Sequence, residues 1–358
     1  MLNWFKLIKL CCLVLIITLL GACSDSSSTE SQSDSSSIGK YWVLQSDSAE
    51  FDLRMDHRMV VFKDKVWLVA GIKSNNEGKV YYNDVWCSSD GLSFSQQQYN
   101  SSFTHRSGHD VVVFDDKLVV VAGFSVTQTD LGPVTSNVND VWASEDGISW
   151  TNLVQEAAFP SRNGHQVVVS NNKMWMFAGF DESTYYKDIW TSTDGLSWVR
   201  QSNDASFSYR AGHQVVIFNN KFWLIGGVYD NGDTRTYYND VWNSTDGINW
   251  TKVSDYTDDS KERYFHQVVV YDNKMWIIGA TNYDLDNKAG ASYYNDVYSS
   301  EDGITWTEVT EFSASKFSAR GRHQVVVFND AFWLYAGQTG YDTTDEYEVL
   351  QKDIWKSY

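Results

Sequence analysis

Arg210-Ala211-Gly212-His213-Gln214-Val215-Val216-Ile217-Phe218 is the cleanest copy of a phrase that the chain writes six times. It continues through Lys221-Phe222-Trp223-Leu224-Ile225-Gly226-Gly227, Tyr238-Asn239-Asp240-Val241-Trp242 and Asp246-Gly247-Ile248-Asn249-Trp250. The copies are anchored by His57, His109, His165, His213, His266 and His323, at steps of 52, 56, 48, 53 and 57 residues. Self-similarity at such a period means that one supersecondary unit is stacked many times over.

Each unit divides into four strand candidates separated by turn signals. In the fourth unit the first is His213 to Phe218, a continuous apolar run suited to a strand buried on both faces. Asn219-Asn220-Lys221 is a tight turn, and Phe222 to Ile225 is the second strand, ended by a small pair. Small residues there let neighbouring backbones approach near a narrow axis. Tyr238 to Ser244 is the third strand. Asp246-Gly247 then reads as a two-residue type I′ hairpin, and Ile248 to Val253 as the fourth strand, with Trp250 pointing inward between sheets. The sixth unit stops after a third strand, Asp353-Ile354-Trp355-Lys356-Ser357-Tyr358. The missing piece is Tyr41-Trp42-Val43-Leu44-Gln45, which resembles Trp198-Val199-Arg200-Gln201. The expected fold is all-β: a six-bladed β-propeller of four-stranded antiparallel blades, closed by an N-terminal strand that completes the last blade and protects its edges.

The Arg-x-Gly-His opening, the small doublet after the second strand and the paired aromatics of the third and fourth strands resemble kelch repeats of galactose-oxidase-like propellers over about residues 41–358. Only Gly226-Gly227 is a true double glycine. The Trp242–Trp250 type of spacing is one residue wider than the usual kelch pair, and Ser-x-Asp-Gly-x-x-Trp is similar to a sialidase Asp-box that lacks one residue. The resemblance implies a fold. Kelch-like propellers include copper radical oxidases and sialic-acid mutarotases, so an acid/base enzyme of mutarotase-like or lyase-like type is an alternative function.

Residues 1–22 read as a lipoprotein signal peptide: Lys6 and Lys9 precede an apolar run, Leu10 to Leu20, too short to span a bilayer. Leu20-Gly21-Ala22-Cys23 resembles the bacterial lipobox, which predicts lipidation at Cys23 and an outer-membrane anchor, periplasmic or surface-facing. Residues 23–40 are expected to be a flexible Ser-rich tether and 41–358 the propeller. Cys87 is then the one unmodified cysteine of the mature chain, so no disulfide framework exists. The net charge of −18 argues against nucleic acid as a partner.

Alternation of strands puts the uniform short turns on one face and the variable connections on the other, where function tends to sit. Arg54, Arg106, Arg162, Arg210, Arg263 and Arg320 stand three residues before the histidines. They form either donors around the channel mouth or structural ties, with Asp84, Asp140, Asp188, Asp240, Asp296 and Asp353 as partners. The six histidines read as structural, and one per blade gives no metal-ligand spacing. Residues that break the pattern are the ligand-binding candidates: Tyr264, Phe265 and Arg322 beside the histidines, and Tyr229, Tyr283 and Tyr341 in long connections. Aromatics beside carboxylates and arginine suit a glycan. Asp230-Asn231-Gly232-Asp233 and Asp284-Leu285-Asp286-Asn287 are oxygen-rich enough for weak Ca²⁺, and no other cofactor is expected. The resulting expectation is a binding module for a glycan or an envelope or extracellular protein; a structural role in an outer-membrane complex is a further alternative.

Overall fold

The apolar runs of the six phrases become the innermost strands of six sheets. A computed structural model describes residues 37–76, 78–255, 263–282, 290–309 and 316–358, all within one unit. The first blade consists of Arg58–Phe62, Lys65–Asn75, Gly78–Ser88 and Ser95–Gln98. The third consists of Gln166–Ser170, Lys173–Phe177, Ile189–Ser192 and Trp198–Ser202, and the fourth of Gln214–Phe218, Lys221–Asp230, Arg235–Ser244 and Thr251–Asp255. The second and fifth follow the same order, the second gaining a short inner piece, His105–Ser107. Inner strands of successive blades touch, and the sixth, Gln324–Phe328, touches the first, so the blades form a closed ring. Val43–Ser46 lies against Tyr347–Ser357, with Leu44 opposite Trp355, and closes the sixth blade.

The folded chain starts before residue 41. Ile38 is buried with Trp42 among Trp276, Val297 and Phe317, and the Gly39 N–H donates to Ser357 Oγ at 2.8 Å. Residues 1–22, expected to be a signal peptide, and Cys23 lie outside the described residues.

Two turn expectations need correction. Type I′ geometry belongs to the first-to-second turns, where Asn219 and Asn220 both have positive φ (48° and 58°). At Asp246-Gly247 only the glycine does. There Ser244 Oγ accepts the Gly247 N–H and Asp246 Oδ1 accepts those of Ile248 and Asn249, so side chains build a longer turn and the fourth strand starts at Thr251. Trp250 does pack between sheets, against Phe177 and Phe207.

The small doublet does not end the second strand. It is a β-bulge, with a register shift between Ile225 and Gly227, through which the strand runs on. The variable connections of the first, second, fourth and sixth blades are therefore hairpin arms, the longest being Lys117–Thr129 paired with Gly132–Ser144. In the third blade the second strand stops at Phe177, before the doublet, and the rim of arms is low at that point.

Candidate functional site

The left-handed turn of the backbone at the doublet, present in the third blade as well, explains the recurring arginine. At Ala178 the backbone takes positive φ (55°), and Arg162 Nη1 donates to the Ala178 carbonyl at 2.8 Å. The same guanidinium grips Asp188 through both nitrogens, at 2.6 and 2.8 Å, and Trp190 Nε1 donates to that carboxylate at 2.7 Å. The pairs Arg54–Asp84, Arg106–Asp140, Arg210–Asp240, Arg263–Asp296 and Arg320–Asp353 repeat the ion pair at 2.6–2.8 Å, every arginine fully buried, with Tyr298 in place of the tryptophan in the fifth blade. The backbone carbonyl of Arg162 accepts from Gly123 of the preceding blade, and that of Arg210 from Gly179. Each of these two arginines ties one blade by its backbone and the next by its side chain. The six are buried away from the channel mouth and form no ring of donors there.

The doublet glycine makes room for the histidine. A Cβ on Gly71, Gly123, Gly179, Gly227 or Gly337 would lie 2.7–2.9 Å from the Cβ of the histidine in the same blade. All six imidazoles are buried. Burial first, and the adjacent arginine second, hold each well below the usual histidine range, to about 3 at His266. Neutral histidines therefore line the axis.

Above them the chain builds a collar. Asp56, Gly108, Gly164, Gly212, Phe265 and Arg322 precede the histidines, and all take left-handed φ between 52° and 62°. The Gly108 N–H donates to the Asp56 carbonyl, Gly164 to Gly108, Gly212 to Gly164, Phe265 to Gly212 and Arg322 to Phe265, at 2.9–3.3 Å. Glycine adopts this φ freely; phenylalanine does so at a cost of order 1 kcal/mol. Two of the pattern-breaking candidates, Phe265 and Arg322, thus sit at strained positions around the mouth. The Arg322 guanidinium lies 4.1 Å over the Phe265 ring and pairs with Asp56 at 2.5 Å. Behind this plug the axial cavity holds only about 40 Å³.

The remaining candidates lie farther out. Tyr264 is not exposed as expected. It is buried against Val228, Tyr237 and Phe265 because its blade uses the ring as core, and burial raises its phenol pKa despite Arg322. Tyr341 is half-buried at the edge of the same cluster. Tyr283 and Asp284 to Asn287 fall outside the described residues. Tyr229 belongs to a shelf beside the low third blade, its ring 5.2 Å from Tyr185 and 6.0 Å from Tyr209. Asp230 lies at its edge, where the Gly232 N–H and Arg235 outweigh partial burial and hold the carboxyl low. With its oxygens so engaged, Asp230 closes a turn. Among the described residues no group of three or more His, Cys, Asp or Glu side chains is placed to hold a metal ion.

A family model described as the KLHDC2/KLHL20/DRC7 Kelch-repeats domain matches residues 108–337. The chain belongs to the kelch-repeat family. No curated protein matches it significantly. Among solved structures it is similar to one titled "Structure of YjhT", at 15% identity and a TM-score of 0.65, covering 87% of this chain and 95% of that one. At that identity the likeness concerns the fold.

One kelch position was overlooked in the sequence. The residue after each histidine forms a second ring: Arg58, Asp110, Gln166, Gln214, Gln267 and Gln324. Each glutamine amide donates to its own histidine carbonyl at 3.2–3.3 Å. Arg58 and Asp110 instead pair with each other at 3.2 Å, and burial pushes the Asp110 carboxyl up against the pull of Arg58. The signal was available, since two charges interrupt a run of four glutamines.

Proposed function

We propose that this kelch propeller is a membrane-anchored bacterial envelope lipoprotein, lipidated at Cys23, that binds a glycan on the aromatic shelf of its third and fourth blades. The observation that carries the reading is the gap in the rim. Where the third blade lacks an arm, Tyr185, Tyr209 and Tyr229 gather beside Asp230 and Arg235, with Tyr209 44% exposed. Apolar ring faces next to fixed hydrogen-bonding groups match the alternating faces of a sugar. The axial cavity holds only about 40 Å³. The anchor reading rests on Leu20-Gly21-Ala22-Cys23 and the serine-rich stretch after it.

A glycan array probed with the full-length chain in detergent tests the shelf. Hits are expected to weaken about tenfold in Tyr209→Ala and Tyr229→Ala, the loss of one ring contact of roughly 1–1.5 kcal/mol. Hits unaffected by both variants would remove the shelf, and a hit recovered chemically altered would move the protein to the enzyme class. Cys23→Ala should shift the protein from membrane to soluble fractions; retention would end the anchor reading. A protein ligand is the second reading, favoured by the tip of the second blade's arm, where Leu131 is 101% exposed with Val134 beside it. Loss of a captured partner in Leu131→Asp would support it.

A further inference from the structure

A second departure from the repeat lies in the first blade. A cleft of about 420 Å³ opens over the outer strands of the first blade. Tyr81, Tyr82, Trp86 and Tyr99 line it, together with the carboxylates of Glu50 and Asp52. It continues past Lys79, Val80, Tyr81 and His105 between the arms of the first and second blades, adding about 360 Å³, with Lys79 the one lysine on its lining. Glu50 accepts the Phe94 N–H at 3.0 Å and Asp52 the Tyr82 hydroxyl at 3.4 Å. Among the described residues neither carboxylate has a cation within ion-pair distance.

The third blade shows what the same place looks like when it is filled. Arg200 stands opposite Trp190 in the ladder, with its guanidinium 5.6 Å over that indole. Lys187 lies 4.9 Å over Tyr209 and pairs with Asp204. In the first blade the matching ladder position opposite Trp86 is Gln96, and the residue before the framework aspartate is Asn83. Both cations are gone. Where the third blade has Ala158 and Pro160, four and two residues before its arginine, the first has Glu50 and Asp52. Relative to the third blade, the first has two fewer positive charges and two more negative ones around its aromatic wall; asparagine at the Asn83 place recurs at Asn139, Asn239 and Asn295, so the two carboxylates are what set the first blade apart.

We propose that this cleft binds an organic cation, an ammonium or guanidinium group that takes the place Arg200 and Lys187 occupy in the third blade. Tyr81, Trp86 and Tyr99 supply cation–π attraction, Tyr82 already carrying the Arg54 guanidinium at 4.4 Å; the carboxylates supply the counter-charge, and the net charge of −18 favours approach of a cation. The group arrives either on a small molecule or on a lysine side chain of another protein.

The test titrates the full-length chain with tetramethylammonium, with a lysine-containing peptide and with a neutral disaccharide, by calorimetry at low salt. Binding of at least one cation is expected, weakened tenfold or more in Glu50→Gln/Asp52→Asn and in Tyr99→Ala. Gln96→Arg should abolish it by installing the third blade's own cation, with thermal stability unchanged. Tetramethylammonium binding identifies a small-molecule site, and binding of the peptide alone identifies a protein side chain. Binding of neither cation, equal binding of the disaccharide, or affinity untouched by Gln96→Arg would overturn the proposal.

Discussion

The first and third blades are written in the same phrase and hold the same frame, yet the place beside the outer-strand tryptophan is open in one and filled by cations in the other. Arg54–Asp84 and Arg162–Asp188 match in contacts, and both arginines are wholly buried. Outside the frame, the third blade spends Lys187 and Arg200 on its own rings and carries no arm, whereas the first has an arm and leaves rings and carboxylates facing solvent. A repeat thus supplies its own control. What every blade shares is structural, and what one blade withholds from itself is available to a ligand.

The strongest way to break the comparison is to remove the shared frame. Arg54→Ala and Arg162→Ala should each destabilise by about 3–5 kcal/mol, because a buried carboxylate loses its partner. Urea unfolding of the two variants should give equal losses; a much smaller loss in the first blade would mean that its frame is slack.

Acid acts next, through the histidines. Their native pKa values are lowered, so below pH 6.5 the unfolded chain takes up protons that the native ring refuses. Stability should be full above about 6.5 and fall progressively as the pH drops toward about 3, the value at His266. A urea midpoint that stays flat from pH 7 to 4 would contradict neutral buried imidazoles.

The smallest effect on stability sharpens the comparison most. Lys187→Asn with Arg200→Gln converts the third blade toward the first at an expected cost of about 1 kcal/mol or less, since both side chains are near the surface. It should lower the apparent pI without changing unfolding cooperativity. A loss of several kcal/mol would show those cations to be part of the frame.

Much of this architecture was legible in the residues. Period, strand count and the partial sixth unit sufficed for six blades and for closure by Tyr41 to Gln45, because buried inner strands and turn residues are local signals. The bulge was not legible: Ala-Gly reads as a strand end, and only the histidine pressed against the glycine reveals why the backbone turns there. Tyr264 misled because exposure depends on neighbours from Val228 and Tyr237, far away in sequence. Glu50 and Asp52 went unnoticed because they precede the first phrase, in a segment read only for its strand. Their meaning appears when Gln96 and Asn83 are set beside Arg200 and Lys187 in space.

The sixth blade joins Val43–Ser46 to Tyr347–Ser357, segments about 300 residues apart. Wherever the chain emerges, the early strand must wait for about 300 further residues before its mate is present. Throughout that interval the first blade presents an open flank to the cell, and until the seam is made a passing chaperone or protease can engage it.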